Sequence, residues 1–585
     1  MAKSRDVSRS ATSGLLGRLR TNPTRIGRAF LLALVPVLLI CVLATPVYPM
    51  CPDEYVQQLF ASNRFLAAGS NLLMPYSLVL VSAPLCTLYA MLPQVPWYAL
   101  LLLALTVASF WVLFDETLRS RMRPNCCVAT LGLLIALEVI CTLYLTYTIV
   151  AFLAMAAGLV LVLRRAVLSE GRHVGVADVA GVVLVALGFS LRPESGLATL
   201  VVFCPFALWV LARNRHVGAI LRGVAVLAVV GACLVAGHVA YESTPGWEGY
   251  ASYLDAGRDV LDYPDMSVEE VRELAPELSE NDVAVLQSWL FADDSVFGEQ
   301  LFEKLAPGVD RMGLSNLSAS LRAKTTYLLA AAVVAVAAYA WLLHRGDERG
   351  AGVRALVAGI VLMFAASCAL LVLRARVRLH VVIPLIVVAV FALVSTVGEG
   401  ETARGRHAIR SAEPVATPSR LVIVATTVLA LAVCGGFWYT SVRGIATRGS
   451  AQTSENARAY VAEHPDELVV FGRTQTIMFR GLDIFDLEDW EYPANMLQVG
   501  GWENHTAPWH ALLDRWGIEG NDVLQQLPER SDMVAVLNPT NMELLRTYLA
   551  EHSGREVSAS VVADLGPSTA DPSVDLCVYR FTYTS

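Results

Sequence analysis

The segment VRLHVVIPLIVVAVFALVSTV, residues 377 to 397, decides the class of this fold because it is almost entirely apolar and has no acidic residue. An α-helix needs about 20 such residues to cross the ~30 Å hydrocarbon core of a membrane. The whole chain has this character, since 55% of its 585 residues are hydrophobic and only 16% are charged. A soluble protein usually has about 25% charged residues, so lipid is the expected solvent.

Apolar stretches of this kind recur along the chain, and they predict eleven transmembrane helices. They lie near residues 29–47, 97–114, 127–146, 147–164, 174–191, 195–212, 218–239, 326–344, 352–373, 377–397 and 420–439. A twelfth stretch, 75–93, is predicted to be an interfacial or re-entrant helix. If it spanned the membrane, the basic loop 119–123 would lie outside, against the positive-inside rule.

The distribution of charge predicts the domain organisation. Residues 1–28 carry seven Lys/Arg and one Asp and are predicted to be a basic cytoplasmic segment. The membrane domain covers 29–439, and its loops 48–96 and 241–325 are predicted to lie outside the cytoplasm. Loop 241–325 is acidic, with seventeen Asp/Glu and six Lys/Arg. The pattern indicates a multi-pass protein of the plasma membrane, with membrane lipids and no nucleic acid as partners.

Residues 440–585 are predicted to form a small extracytoplasmic α/β domain behind an all-α, polytopic membrane domain. The segment NMELLRTYLAEH, 541–552, has the pattern of an amphipathic helix. The segments with the pattern of strands are LVVF (468–471), MVAVL (533–537), VSASVVADL (557–565) and DLCVYRFTY (575–583).

Two adjacent carboxylates, Asp53 and Glu54, follow the first predicted span. At the water-facing end of a helix next to low-dielectric protein, such a pair can act as a general base or bind a metal ion. The same residues at the start of a helix also favour its macrodipole and cap its free N–H groups. Both interpretations are open from sequence.

Three arginines in the segment RARVRLHVVIP, 374–384, open the tenth predicted span on its outer side. Arg374, Arg376 and Arg378 lie where the positive-inside rule disfavours cations. Guanidinium groups bind phosphate in a bidentate manner, so an anionic lipid head group is a suitable partner. The alternative is that they only extend to lipid head groups at the membrane surface.

Two further features are candidates for substrate binding. Arg192 and Glu194, in the segment LRPESG, close the fifth predicted span, where they cross-link helices, line a cavity that contacts substrate, or only end a helix at Pro193. Trp247 lies in the aromatic and acidic segment of loop 241–325. Such side chains suit carbohydrate, but they equally suit the core of a folded loop.

Several known types of site are missing from the sequence. The chain has no GxxxxGK[ST] phosphate loop, no HExxH zinc helix and no GxSxG nucleophile elbow. No metal-ligand spacing is present, and no cofactor is required, although dependence on a divalent metal is open. Any energy for a reaction must therefore arrive with the substrate.

The layout of the chain resembles the GT-C superfamily of polyprenyl-phosphate-sugar-dependent glycosyltransferases. The resemblance lies in Asp53 of the first outer loop, in the helix that follows Met74, Pro75 and Tyr76, and in Trp97 at the start of the next span. The segment 374–384 is similar to the start of a late span in that superfamily. The chain departs from it in having Asp-Glu where a pair of aspartates is common.

This resemblance implies that Asp53, with Glu54 beside it, is the catalytic acid position, and that the 374–378 arginines contact the lipid phosphate. It implies a lipid-linked sugar donor and an envelope glycan or protein acceptor. The segments GGWENHTAPW, RPE and WEGYASYLDAGRDVLDYPD also resemble an uncharacterised membrane-protein family of Gram-positive bacteria. The alternative function is non-catalytic: a transporter or flippase of lipid-linked glycans, or an assembly scaffold.

Overall fold

The computed structural model describes most of the chain. The described residues are 23–44, 47–48, 51–65, 71–120, 122–168, 175–213, 217–344, 351–397, 419–443, 451–472, 476–568 and 573–584. Most of the basic N-terminal segment and Arg121 lie outside these ranges. The orientation predicted from their charge therefore stays a prediction.

Helices dominate the described part of the chain up to residue 443. The elements are α1 (Pro23–Leu43), α2 (Cys51–Ala61), α3 (Val79–Met91), α4 (Trp97–Arg119), α5 (Pro124–Leu143), α6 (Tyr147–Leu168), α7 (Val176–Leu191), α8 (Pro193–Arg213), α9 (Val217–Ser243), α10 (Tyr250–Leu261), α11 (Val268–Leu274), α12 (Glu280–Gln287), α13 (Asp294–Phe297), α14 (Glu299–Leu305), α15 (Leu314–Arg322), α16 (Lys324–His344), α17 (Ala351–Leu373), α18 (Leu379–Val397) and α19 (Arg420–Phe437). Short 3₁₀ and π segments follow α14 and α19 at Ala306–Gly308 and Trp438–Arg443.

Within the described residues, nine helices are long and apolar enough to cross a membrane: α1, α4, α5, α8, α9 and α16 to α19. Helices α6 and α7 correspond to two further predicted spans, but their apolar lengths in the described residues are shorter. The count of eleven therefore stays a prediction. Helix α3 has 13 residues, or about 20 Å at 1.5 Å per residue. This length is below the ~30 Å thickness of the hydrocarbon core, and the interfacial or re-entrant placement of the stretch 75–93 stays a prediction.

Helices α6 and α7 form an antiparallel pair whose backbones approach closely. A Cβ atom added at Gly158 of α6 would lie 2.5 Å from the carbonyl oxygen of Gly181 in α7. One added at Gly188 would lie 2.7 Å from the backbone nitrogen of Met155. Small residues permit this contact between apolar helices in lipid. The pair brings the start of α6 next to the end of α7.

The C-terminal part is a mixed α/β domain, as predicted. Its elements are α20 (Ala451–Glu463), β1 (Leu468–Phe471), α21 (Thr476–Phe479), β2 (Met496–Gln498), α22 (Ala507–Arg515), the 3₁₀ segment Leu524–Gln526, β3 (Met533–Leu537), α23 (Pro539–Ser553), β4 (Val557–Pro567) and β5 (Asp575–Tyr583). The strand order is β2-β1-β3-β5-β4, with β1 parallel to β2 and β3, and β5 antiparallel to β3 and β4. The four predicted strands and the predicted helix are confirmed, whereas β2 was not predicted.

Loop 241–325 folds into α10 to α15 and packs on the C-terminal domain. The buried carboxylate of Asp293 accepts hydrogen bonds from the backbone N–H of Leu524 (2.7 Å) and from the hydroxyl of Tyr548 (2.8 Å). Asp282 pairs with His552 at 2.8 Å. The loop and the domain therefore form one layer at one end of the helix bundle.

Candidate functional site

Five charged side chains from three separate parts of the chain form a continuous chain of ion pairs. Their order is Arg192, Glu194, Arg258, Asp262 and Arg376, and the successive N···O distances are 3.7, 2.6, 3.5 and 3.0 Å. We call this set the ion-pair chain. With three arginines and two carboxylates, it carries a net charge of +1.

Arg192 is fixed by the close packing of α6 and α7. It follows the last residue of α7, and its Nη1 donates hydrogen bonds to the hydroxyl of Tyr147 (2.8 Å) and to Oγ1 of Thr148 (2.6 Å) in the first turn of α6. The helix break at Pro193 turns the chain here, as predicted. Arg192 thus has both a structural role and a place in the charged cluster.

Asp53 lies in the first turn of α2, within electrostatic reach of the ion-pair chain. Burial raises the pKa of its carboxyl group, while Arg192 opposes the rise. Arg258 and Arg376 also lower this pKa, and Asp262 raises it. The side chain is only half-buried. Asp53 is therefore a partly accessible carboxylate within electrostatic reach of three arginines.

Glu54 has a different environment from its neighbour. It is 1% exposed, and its Oε1 accepts a hydrogen bond from the backbone N–H of Tyr147 (3.2 Å), the first residue of α6. It therefore caps another helix. Burial and the nearby charge of Asp53 raise the pKa of Glu54 well above its usual range. Asp53 and Glu54 are therefore adjacent carboxyl groups in different surroundings, one partly exposed beside the ion-pair chain and the other buried at the start of α6.

The three candidate phosphate-binding arginines lie on the tight turn between α17 and α18, but in different surroundings. Arg376 pairs with Asp262 and is 32% exposed, whereas Arg378 is exposed. The Nε of Arg374 is buried and has no hydrogen-bond partner among the described residues. Ala375 between them has a φ of 50°, in the left-handed region that disfavours side chains. Of the three arginines on this turn, Arg376 is the one that belongs to the ion-pair chain.

Tyr76 is a second residue with left-handed backbone at the site. Its φ is 65°, and its ring stacks on that of Tyr147 at 6.1 Å between centroids. Burial, and after it the charge of Asp53, raises the pKa of Tyr76 well above its usual range. Strained backbone at two positions around one polar cluster is typical of a functional site.

Trp247 lies in a core. It is 1% exposed, and its ring packs against those of Phe60, Tyr241 and Tyr250. It has no exposed ring face on which a sugar could stack. This placement favours the packing interpretation of Trp247, and its neighbours anchor α10 instead.

Two members of the site, Arg258 and Asp262, were not predicted from the sequence. They lie four residues apart at the C-terminal end of α10, where side chains at i and i+4 share one helix face. That spacing is the signal that could have singled them out. The side chain of Glu194, which joins Arg258 to Arg192, is 51% exposed, so the cluster is open to the surface.

Two carboxyl groups of the helix bundle, Asp178 and Glu138, lie away from the cluster. Asp178 pairs with Arg222 at 3.5 Å. Glu138 of α5 is 0% exposed, and neither of its carboxylate oxygens has a hydrogen-bond partner among the described residues. In the part of the chain that the structure describes, no three His, Cys, Asp or Glu side chains converge to hold a metal ion.

Comparisons of this chain with protein-family models, with curated proteins and with solved structures gave no match. The functional assignment below therefore depends on the geometry of the site and on the resemblance in layout.

Proposed function

We propose that this chain is a GT-C-like membrane glycosyltransferase that transfers a sugar from a polyprenyl-phosphate donor to a cell-envelope acceptor outside the cytoplasm. The observation that supports it most is the convergence of Asp53 with Arg192 and Arg376. These residues come from distant parts of the chain, and a catalytic acid and the cations that bind a lipid phosphate must meet at one place.

In this proposal the lipid phosphate of the donor binds at the arginines of the ion-pair chain. Arg376 and Arg192 neutralise the phosphate as the bond between the anomeric carbon and the phosphate oxygen breaks, and the phosphate keeps the electron pair. The acceptor hydroxyl forms the new bond to the anomeric carbon. Its proton goes to the carboxylate of Asp53, which acts as general base. Glu54 does not take part in the proton transfer and caps the start of α6.

The proposed orientation follows from the charge pattern. The N-terminus is cytoplasmic, and the C-terminal domain and the site lie outside the cytoplasm at the plasma membrane. Sugar nucleotides are charged and remain in the cytoplasm. A transferase on the far side therefore needs a sugar carried on a lipid phosphate, which the arginines of this site suit by charge.

The second candidate is a transporter or flippase for lipid-linked glycans, and Glu138 is the observation that favours it. A transporter uses polar groups inside its helix bundle, and Glu138 is a buried carboxyl group of α5. The charged cluster around Asp53 lies instead at the end of the bundle that packs on the C-terminal domain. This difference favours the enzyme.

Purified full-length protein in lipid nanodiscs tests the proposal against its alternative. It is incubated with a panel of polyprenyl-phosphate-linked sugars and envelope extracts, and release of polyprenyl phosphate is measured by mass spectrometry. A transferase releases polyprenyl phosphate only when an acceptor is present. Translocation of the intact donor in proteoliposomes, without release of polyprenyl phosphate, would support the transporter instead.

A further inference from the structure

We propose that the turn Gly500–Thr506 of the C-terminal domain is a positioning element of the Asp53 site, and that Glu503 in this turn holds α2 through Tyr55. The effect of the turn on donor binding rests on the proposed function. The positioning of α2 by the turn does not. The turn lies in the segment GGWENHTAPW, for which sequence reasoning found no role.

The contact with α2 is made through a buried hydrogen bond. The hydroxyl of Tyr55 lies 2.9 Å from Oε1 of Glu503 and also contacts Oε1 of Gln498. Tyr55 is 0% exposed and Glu503 is 1% exposed. The ring of Tyr55 also stacks on that of Phe479 at 4.8 Å. Three residues of the C-terminal domain, Glu503, Gln498 and Phe479, therefore contact the side chain of Tyr55 in α2.

The contacts of Tyr55 bear on Asp53 because both residues lie on the same helix, α2. Residues two apart on an α-helix point about 200° away from each other. Tyr55 faces the C-terminal domain, so Asp53 is directed to the opposite side, where the ion-pair chain lies. A shift or rotation of α2 at Tyr55 would move Asp53 relative to the arginines.

The same turn also holds α10, which carries Arg258. The hydroxyl of Tyr250 donates a hydrogen bond to the backbone oxygen of Trp502 (2.9 Å). One turn further along α10, the ring of Tyr253 lies 3.8 Å from that of His505. One short segment of the C-terminal domain thus contacts both the helix of the proposed base and the helix of a site arginine.

The turn itself is built for this placement of Glu503. A Cβ atom added at Gly501 would lie 2.3 Å from Oε2 of Glu503, so a larger residue there would displace the carboxylate from this position. His505 adopts a φ of 65°, in the left-handed region. The charge of Asp53 contributes to raising the pKa of Glu503, after the larger effect of burial, which places the two acids within electrostatic reach.

Hydrogen–deuterium exchange on the full-length protein in nanodiscs tests the structural part. Glu503→Ala and Tyr55→Phe should each speed exchange in peptides of α2 roughly tenfold or more, because Glu503→Ala removes the buried contact with Tyr55, and Tyr55→Phe removes this contact together with the one to Gln498. Glu503→Gln should restore the protection of α2, since its amide oxygen still accepts. Tyr250→Phe should affect α10 and leave α2 unchanged. Glu529→Gln, at an exposed position of the same domain, is the matched control.

Binding of undecaprenyl phosphate to the same variants tests the link to the site. Binding should weaken in Glu503→Ala, recover in Glu503→Gln and remain normal in Glu529→Gln. If wild-type protein does not bind undecaprenyl phosphate, the proposed function is wrong, but the exchange experiment still decides the positioning role. If exchange in α2 is unchanged in both Glu503→Ala and Tyr55→Phe, the turn does not position α2 and the inference is overturned. Should Glu503→Ala not fold, the test is a comparison of Tyr55→Phe with Gln498→Ala: exchange in α2 should be faster in Tyr55→Phe, because only this variant also removes the contact with Glu503.

Discussion

The guanidinium group of Arg376 pairs with the carboxylate of Asp262, with Nη1 3.0 Å from Oδ2, although the two residues are distant in sequence. Asp262 also contacts Arg258 at 3.5 Å. An anion that binds Arg376 must therefore either displace Asp262 from the guanidinium group or bind the guanidinium group while Asp262 stays in place. This relationship distinguishes Arg376 from the two arginines beside it.

We expect Arg376→Gln to weaken binding of undecaprenyl phosphate by roughly tenfold or more, because a charge-assisted contact to phosphate is lost. Arg378→Gln removes the same charge from an exposed position of the same turn and is the matched control. Binding is measured in nanodiscs by native mass spectrometry. Equal, small effects of both substitutions would show that the arginines only contact lipid head groups.

The topology prediction can be checked by labelling cysteines in whole cells. In a variant without native cysteines, a cysteine at position 519 of the C-terminal domain should react with a membrane-impermeant maleimide. One at position 121, which lies outside the described residues, should react only after permeabilisation. Labelling of position 121 in intact cells would contradict the proposed orientation.

The contact between α6 and α7 should be sensitive to one added methyl group. Gly158→Ala places a Cβ atom 2.5 Å from a backbone oxygen, so we expect a loss of about 1–3 kcal/mol in the free energy of unfolding. Gly231→Ala in α9 is the control, since nothing lies within 4 Å of an added Cβ there. Thermal unfolding in detergent measures both. A melting temperature that falls equally in the two variants would contradict the packing account.

The stability of the protein should depend on pH through Glu503. Burial, its largest cause, raises the pKa of this carboxyl group from 4.5 to about 7. A raised pKa means that the folded state binds the proton more tightly, so the stabilisation is complete below pH 4.5 and is lost as the pH rises to about 7. The full difference is about 3 kcal/mol.

Glu503→Gln removes this titration but keeps a hydrogen-bond acceptor. The variant should therefore unfold at the same temperature as wild type near pH 5 and at a higher temperature near pH 8. The difference between the two melting curves, and not the curve of wild type alone, is the measurement, because other groups also titrate. A difference that does not change between pH 5 and pH 8 would show that Glu503 does not titrate in this range.

Much of the fold could be predicted because its signals are local. Runs of apolar residues such as 379–397 mark helices, and alternation in the segment 575–583 marks strand β5, whose bounds match the prediction. Strand β2, Met496–Gln498, has three residues and is recognisable only from its pairing with β1. Helix α1 begins at Pro23, whereas the predicted span begins at residue 29. The added first turn contains Arg25, which pairs with Asp115 of α4.

The site could be predicted only as separate parts. Local sequence patterns point to Asp53, Arg192 and Arg376 one at a time. Their convergence depends on long-range packing, which no local pattern predicts. Arg258 lies on an amphipathic helix, where charge usually indicates a solvated face. Glu503 comes from another domain, and its contact with Tyr55 joins residues that are distant in sequence. For Trp247, the two interpretations differ only in burial, which the sequence does not specify.

Asp53 is proposed to be the general base that takes the proton of the acceptor hydroxyl. The rate of sugar transfer by Asp53→Asn protein tests this role most directly. Asparagine caps a helix as well as aspartate does, so the fold should be retained, while the rate should fall roughly 10²- to 10⁴-fold. Glu54→Gln should stay close to wild type, because its amide oxygen can still cap α6. Wild-type rates of transfer in the Asp53→Asn, Glu54→Gln double variant would contradict the assignment.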